Sequence, residues 1–299
     1  MHPIVAAAQY PISFHRSFAA WQEHTTQWVK EAVRQKAQLL VFPEYGAMEL
    51  VSLLPEAIRA DIKQQVRSLQ LLEADFCTVF ENLARQHQLI IVAPSLPVVV
   101  GQQIYNRAYV FGPKGGVAYQ EKFFMTRFEN EDWGVNSAPK QLNLFETSWG
   151  SFGIQICYDM EFPIGAQLLC AAGANLILSP SCTETIRGAT RVHVGARARA
   201  LENQCYTLVS QTINNAEWSP TVDINYGYAA CYSSPDKGLP PEGIVAIQPP
   251  QTPGWLVTSL DMKALETVRT DGQVFNFKDL QQTLTSLKGE PIQVVRWMI

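Results

Sequence analysis

Residues 150–163 read GSFGIQICYDMEFP. Phe152, Ile154 and Ile156 alternate with small or polar residues, which is the period of a half-buried strand, and the pattern stops at Cys157. Tyr158, Asp159, Met160 and Glu161 do not continue a strand. Pro163, with the apolar run to Ala172 behind it, predicts a helix start. A strand that turns sharply into a helix at a cysteine lifts the sulfur clear of the sheet. It also offers backbone N–H groups at the helix entrance to a developing oxyanion. Taken alone the cysteine decides little, because a free thiol also behaves as a small buried hydrophobe.

The flanking sequence repeats the strand-then-helix alternation. Residues 4–9 predict a strand. Phe18, Trp21, Thr25, Trp28, Val29, Ala32 and Val33 recur at helical spacing. The continuous apolar run AQLLVF at 37–42 predicts a strand covered on both faces. It is stopped by Pro43, with Glu44 immediately beyond. A second amphipathic helix is predicted over 69–83, strands over 89–100, 105–111 and 117–121, and a polar-aromatic loop over 123–139. Residues 142–145 and 150–156 predict a hairpin that leads into Cys157. Helices over 163–173 and 189–204 alternate with strands over 175–179 and 205–211. Further strands are predicted over 226–232, 243–248 and 254–260, then a short helix near 262–269 and an irregular tail. With no repeat or linker, the chain reads as one α/β domain over 1–270, two sheets face to face with helices outside. Residues 271–299 form a tail that could join oligomer contacts.

Composition removes several classes of function. A net charge of −4 over 299 residues gives no electrostatic case for nucleic acid or an anionic membrane. No stretch is as long and apolar as a membrane span, and the first fifteen residues lack a basic leader. Six cysteines without a CxxC pair, and five histidines without ligand spacing, predict no disulfide framework, no metal and no cofactor. A reducing, cytoplasmic location is expected.

Glu44, Lys122 and Cys157 share one placement, each just past the carboxyl end of a predicted strand, where α/β sheets build their sites. A thiol is mostly protonated near neutrality. A nearby carboxylate can take its proton during attack and return it to a leaving amine. A lysine ammonium, with the Tyr158 N–H, can hold the tetrahedral oxyanion. The set suffices for acyl transfer from nitrogen.

In this ordered combination the chain resembles the nitrilase, or carbon–nitrogen hydrolase, superfamily. The resemblance runs from about Ile4 to Leu260 and rests on VFPEY around Glu44, the EK pair ending in Lys122, CYDMEFP around Cys157, AAGANLILSPS at 171–181 and ARARALENQCY at 196–206. It implies a four-layer α-β-β-α sandwich that assembles as a homodimer or larger oligomer. It also implies Glu44 as general base and acid, Lys122 as oxyanion stabiliser and Cys157 as nucleophile. A second glutamate after the lysine is implied as well. Glu129, by its spacing to Trp133, is preferred, and Glu131 is the alternative. Tyr158 and Asp159 after the cysteine resemble the amidase and carbamoylase branches, so the expected substrate is a small amide or carbamoyl compound, cleaved through a Cys157 thioester. The alternatives are a nitrilase acting on a nitrile and a catalytically silent binding scaffold. Glu161 and Gln167 stand where many members carry arginine.

Other residues have plainer readings. Asp159 is expected to brace the turn behind Cys157, and Arg197, Arg199 and Glu202 to form structural ion pairs or a dimer contact. His193 could pair with a cysteine in a papain-like scheme, but the Glu44–Lys122 set already explains the thiol. Cys182, at the end of LILSPSC, could line the pocket. So could Phe123, Phe124, Phe128 and Trp133. Tyr226, Tyr228 and Tyr232 could border it.

Overall fold

The structure is a computed structural model that describes residues 1–286 and 295–297. Strand β1 (Ile4–Pro11) is its axis. Along it Val5 and Ala7 enter one hydrophobic cluster, and Ala6, Ala8 and Tyr10 enter another. That division is what a period of two produces in a strand buried on both faces. Helix α1 (Phe18–Arg34) follows, capped by Ser17, whose hydroxyl accepts from the Ala20 N–H. It lays Trp21, Trp28 and Val29 on the outer face. Next come β2 (Leu39–Val41), a 3₁₀ turn (Gly46–Leu53), and the short helices α2 (Glu56–Arg59) and α3 (Ile62–Ser68). Helix α4 (Glu73–His87) begins later than the spacing predicts, because a 3₁₀ turn over Leu69–Leu71 interrupts the pattern. Strands β3 (Ile90–Val92), β4 (Leu96–Val100), β5 (Gln103–Phe111) and β6 (Val117–Glu121) complete this half.

The second half holds β7 (Phe145–Thr147), β8 (Gly150–Ile154), α5 (Pro163–Ala171), β9 (Leu176–Ser181), α6 (Ile186–Asn203), β10 (Tyr206–Ile213), β11 (Ala230–Tyr232), β12 (Ile244–Ile247), β13 (Gly254–Ser259) and α7 (Met262–Asp271). The strand expected over 226–232 keeps only its last three residues. Upstream of them the Tyr226 N–H bonds the Thr183 carbonyl and the Tyr228 N–H bonds Gln211 Oε1, so neither joins a ladder. The expected irregular tail is in part a helix, α8 (Asn276–Ser286). It is anchored where the Phe277 N–H bonds Gln204 Oε1 and the Arg269 guanidinium lies over the Phe277 ring. The rest of the expected tail, 287–294 and 298–299, lies outside the described residues.

The strand path is β4-β5-β3-β2-β1-β10-β9-β8-β7, with β6 on β5, β13 on β1, and β11 and β12 beyond β10. Strand β1 forks. Its first six residues pair with β13, and its last three pair with β10, so the path folds into two faces. Inner-face residues of the first half (Val5, Leu39, Val41, Val92, Val110) share one cluster with Phe152, Ile154, Leu176 and Leu178 of the second. Helices α1 and α4 cover the first outer face. Helices α5 and α6 pack on the second half. The result is the expected four-layer α/β sandwich.

Strands β1, β2, β3, β8, β9 and β10 run parallel through successive pairs. Strand β5 is antiparallel to β3, and β6 antiparallel to β5, which returns β6 to the common direction. The carboxyl ends of β2, β6, β8 and β9 therefore meet along one edge.

Candidate active site

Each side chain at that edge is delivered by a chain reversal. Cys157 opens a 3₁₀ turn (Cys157–Glu161) three residues past β8 and has φ +48°, the left-handed region that a non-glycine residue enters only when its surroundings hold it there. Two sets of contacts hold it. The Asp159 carboxylate accepts from the N–H groups of Ile156, Phe123 and Phe124 at 3.3, 3.1 and 2.7 Å, which ties the turn to the segment just after Lys122. On the other side α6 presses against the turn. A Cβ on Gly195 would lie 2.6 Å from the Met160 carbonyl oxygen, so only glycine allows this approach, and Arg199 Nη1 donates to the same oxygen at 3.2 Å. Asp159 thus has the bracing position expected of it. Arg199 forms the expected ion pair with Glu202 at 2.9 Å.

Lys122 follows β6 and is 1% exposed. Its Nζ donates to Glu44 Oε1 at 2.7 Å and to Glu129 Oε2 at 2.6 Å. Glu44 Oε1 also receives Asn106 Nδ2 at 2.9 Å, and Oε2 receives the Cys182 N–H at 2.9 Å. Glu129 takes the Tyr45 hydroxyl at 2.7 Å and both the N–H and hydroxyl of Thr126 at 3.0 and 2.9 Å. Asn106 is oriented in turn by the Ser95 hydroxyl, which accepts from the Tyr45 N–H. The two carboxylates are buried but fully partnered, which is the condition for keeping charge out of water.

Charge and burial set the proton positions. Burial alone would neutralise Lys122, but the Glu129 and Glu44 charges outweigh it and hold the ammonium well above its ordinary pKa. Burial raises Glu44, and the charge of Glu129 adds to that against the pull of Lys122. Burial would raise Glu129 too, but Lys122 and the hydrogen bonds from Thr126 and Tyr45 bring it below the usual carboxylate range. Burial first, then the Glu44 charge, pushes the Cys157 thiol well up. Its Sγ lies 3.6 Å from the Cys182 carbonyl oxygen. The thiol is therefore protonated at rest and needs a base beside it. Glu44 is the carboxylate in place, poised by its raised pKa. The Lys122 ammonium sits between the two carboxylates, where a cation would otherwise be held.

These groups open into a cavity of roughly 590 Å³. Glu44, Lys122, Cys157 and Glu129 meet at its floor, and Tyr158, Cys182, Phe128 and Trp133 line it. Glu131 does not join them. The turn of π-helix at Glu129–Trp133 points residue 129 inward and leaves Glu131 exposed, paired with Arg127 at 2.7 Å. Phe124 stacks on Phe162 instead of lining the cavity. His193 is engaged elsewhere: it stacks on Tyr228, and its ring nitrogens meet Tyr232 Oη at 2.8 Å and Gln211 Oε1 at 3.0 Å. The papain-like pair does not form. Tyr45, Asn106, Ser95 and Thr126 escaped the sequence reading. Asn106 had left a faint signal as a polar residue inside an apolar strand, but nothing in its spacing names a partner.

Residues 4–270 match the carbon–nitrogen hydrolase family. A probable hydrolase of Bacillus subtilis, YhcX, is 31% identical over 280 residues, covering 94% of this chain and 54% of that protein. An omega-amidase of Saccharomyces cerevisiae is 29% identical over 147 residues, 46% of this chain and 50% of that one. The chain thus spans about half the length of these two relatives. Among solved structures, an amidase of Nesterenkonia sp. AN1 in complex with acrylamide superposes with a TM-score of 0.68 at 19% identity, covering 95% of this chain and 97% of that one. Yeast Nit3, a nitrilase-superfamily member, superposes with a TM-score of 0.70 at 23% identity, covering 90% and 93%. At these identities the two structures speak for the fold.

Proposed function

The chain belongs to the carbon–nitrogen hydrolase family, and on that premise we propose that it hydrolyses a small amide or carbamoyl compound through a thioester on Cys157. The observation that carries this reading is the contact of Lys122 with both Glu44 and Glu129 beside a buried thiol at a left-handed turn. Cys157 Sγ attacks the carbonyl carbon while its proton passes to Glu44. The oxygen, now negative, is met by Lys122 Nζ and the Tyr158 N–H. Glu44 returns the proton to the nitrogen, the C–N bond breaks, and ammonia or an amine leaves. Water then gives a proton to Glu44 and its oxygen to the thioester carbon, and the proton returns to the sulfur as the acid departs. Glu129 is a positioning residue that fixes Lys122.

Intact-mass measurement during turnover of a panel of amides, carbamoyl compounds and matched nitriles tests this. An acyl adduct on the wild-type chain that is absent from Cys157→Ala is expected. Amide turnover that persists at the wild-type rate in Cys157→Ala would overturn the thiol mechanism. A nitrile hydrolysed in preference to its matched amide would move the protein to the nitrilase reading. The reading includes a catalytic domain over 1–270 and a homodimer. Ile164 and Leu168 on α5 and Val194 and Leu201 on α6 are large exposed apolar residues on the two helices that cover the second half. Light scattering at a mass near 33 kDa would remove the dimer.

A further inference from the structure

Away from the Cys157 cavity, His15 in the segment after β1, His24 on α1 and Glu49 in the 3₁₀ turn after Glu44 converge, each offering one ligand atom within 4.8 Å of the others. We propose that these three residues bind one divalent transition-metal ion of the zinc class, independently of the catalytic reading.

Four observations support it. His15 is 7% exposed, and its Nε2 faces Glu49 Oε2 at 3.4 Å. That is longer than a charge-assisted hydrogen bond of about 2.8 Å, and the nitrogen has no hydrogen-bond partner among the described residues. The buried Nε2 of His24 likewise has none among them. Glu49 is aimed: its Oε1 accepts from Tyr10 Oη at 2.6 Å and Trp21 Nε1 at 2.8 Å, while among the described residues the one hydrogen bond to Oε2 is the long one from the Ser13 N–H at 3.4 Å, and that oxygen faces His15. This is how supporting hydrogen bonds orient a ligating carboxylate. The His15 backbone is pinned as well, its N–H donating to Ser52 Oγ, which donates to the Glu49 carbonyl.

Two imidazoles and a carboxylate suit zinc and its neighbours better than magnesium or calcium, which take oxygen ligands. Ligands about 2.1 Å from zinc stand roughly 3.4 Å apart in a tetrahedron, so the side chains close by about an ångström around the ion, and water takes the fourth position. A bound ion would tie the end of β1, α1 and the turn that follows Glu44 into one unit.

The test uses the full chain, freed of metal by chelation and titrated with Co²⁺, then Zn²⁺. One equivalent of Co²⁺ with visible d–d absorption is expected, displaced by Zn²⁺, with the unfolding midpoint rising by roughly 5 °C at about a hundredfold excess over the dissociation constant. His24→Gln should weaken binding by tenfold or more, and Cys157→Ala should leave it unchanged. X-ray absorption of the wild-type Zn²⁺ form gives a second readout that needs no variant, and should show imidazole and oxygen scattering without sulfur. The proposal is overturned by an absent Co²⁺ band with an unmoved midpoint, by a Co²⁺ affinity that His24→Gln leaves unchanged, or by sulfur in the zinc shell.

Discussion

Glu44 lies just before the 3₁₀ turn Gly46–Leu53 and Glu49 within it, and each is 1% exposed. Glu44 follows β2 into the cavity, where a lysine ammonium, an asparagine amide and a backbone N–H share its two oxygens. Glu49 points the other way, into the helix layer on the outer face, where a tyrosine hydroxyl, an indole N–H and two histidines surround it. The intervening backbone makes the reversal possible. Tyr45 takes φ +53°, and the 3₁₀ turn from Gly46 carries the chain across. What surrounds a buried carboxylate decides what it can do. Burial, with the charge of Glu129, raises Glu44 in pKa against the pull of the Lys122 ammonium, which suits a carboxylate that is to accept a proton. Neutral donors hold Glu49 in place and leave an oxygen for a ligand.

The largest effect that would sharpen this contrast belongs to the thiol that Glu44 faces. Cys157→Ala should lower amide turnover by about ten-thousandfold or more and leave the unfolding midpoint nearly unmoved. Wild-type kinetics in that variant would remove Glu44's partner. Next, Glu44→Gln should cost on the order of a hundredfold to ten-thousandfold in kcat/KM. It should change stability less than the loss of Glu49 does. The folded pKa of Glu44 is raised, so its charge is a net cost at neutral pH, and removing that charge offsets the one buried donor that the Gln amide leaves without an acceptor.

Glu49→Ala should behave in the opposite way. Chemical denaturation should show a loss of about 3 kcal/mol, because Tyr10 and Trp21 keep buried donors without an acceptor. A Glu44→Gln protein that unfolds easily beside a stable Glu49→Ala protein would break the comparison.

The smallest effects are in pH. The acid limb of kcat/KM should lie above the ordinary glutamate value of about 4.3, since Glu44 must be ionised to act as base and its pKa is raised. The charge of Glu129 contributes to that rise, so Glu129→Gln should move the limb toward lower pH. The same variant tests stability with the reverse sign. The folded pKa of Glu129 is depressed, so its contribution is present above the unfolded value and is lost as pH falls through the folded one. Glu129→Gln should therefore flatten the acid-side decline in unfolding midpoint.

Much of this site is legible in the sequence because it is built from chain ends of strands. A continuous apolar run that stops at a proline before Glu44, or an alternating run that stops at Cys157, reports a strand terminus from local chemistry alone. Parallel topology then sends all the termini to one edge. The helix over 276–286 was not legible, because its anchors are distant: Gln204 at its start and Arg269 over Phe277. Asn106 and Tyr45 were not legible for the same reason, since they act through partners 62 and 84 residues away. Thr126 acts on a partner only 3 residues away, but that separation carries no pattern of its own.

By itself the sequence determined the α/β class, most of the order of strands and helices, and the placement of Glu44, Lys122 and Cys157 just past strand ends. These follow from hydrophobic period and turn chemistry, which act over a few neighbours. Only the tertiary structure decided which glutamate meets Lys122. Residues 129 and 131 lie on one π turn, and its pitch, invisible in composition, sends one inward and the other to Arg127. Only the tertiary structure could bring His15, His24 and Glu49 together, since they belong to three elements and meet through the packing of α1 against β1. Periodicity reports the direction of a side chain relative to its own element. Which side chains then meet depends on how the elements pack.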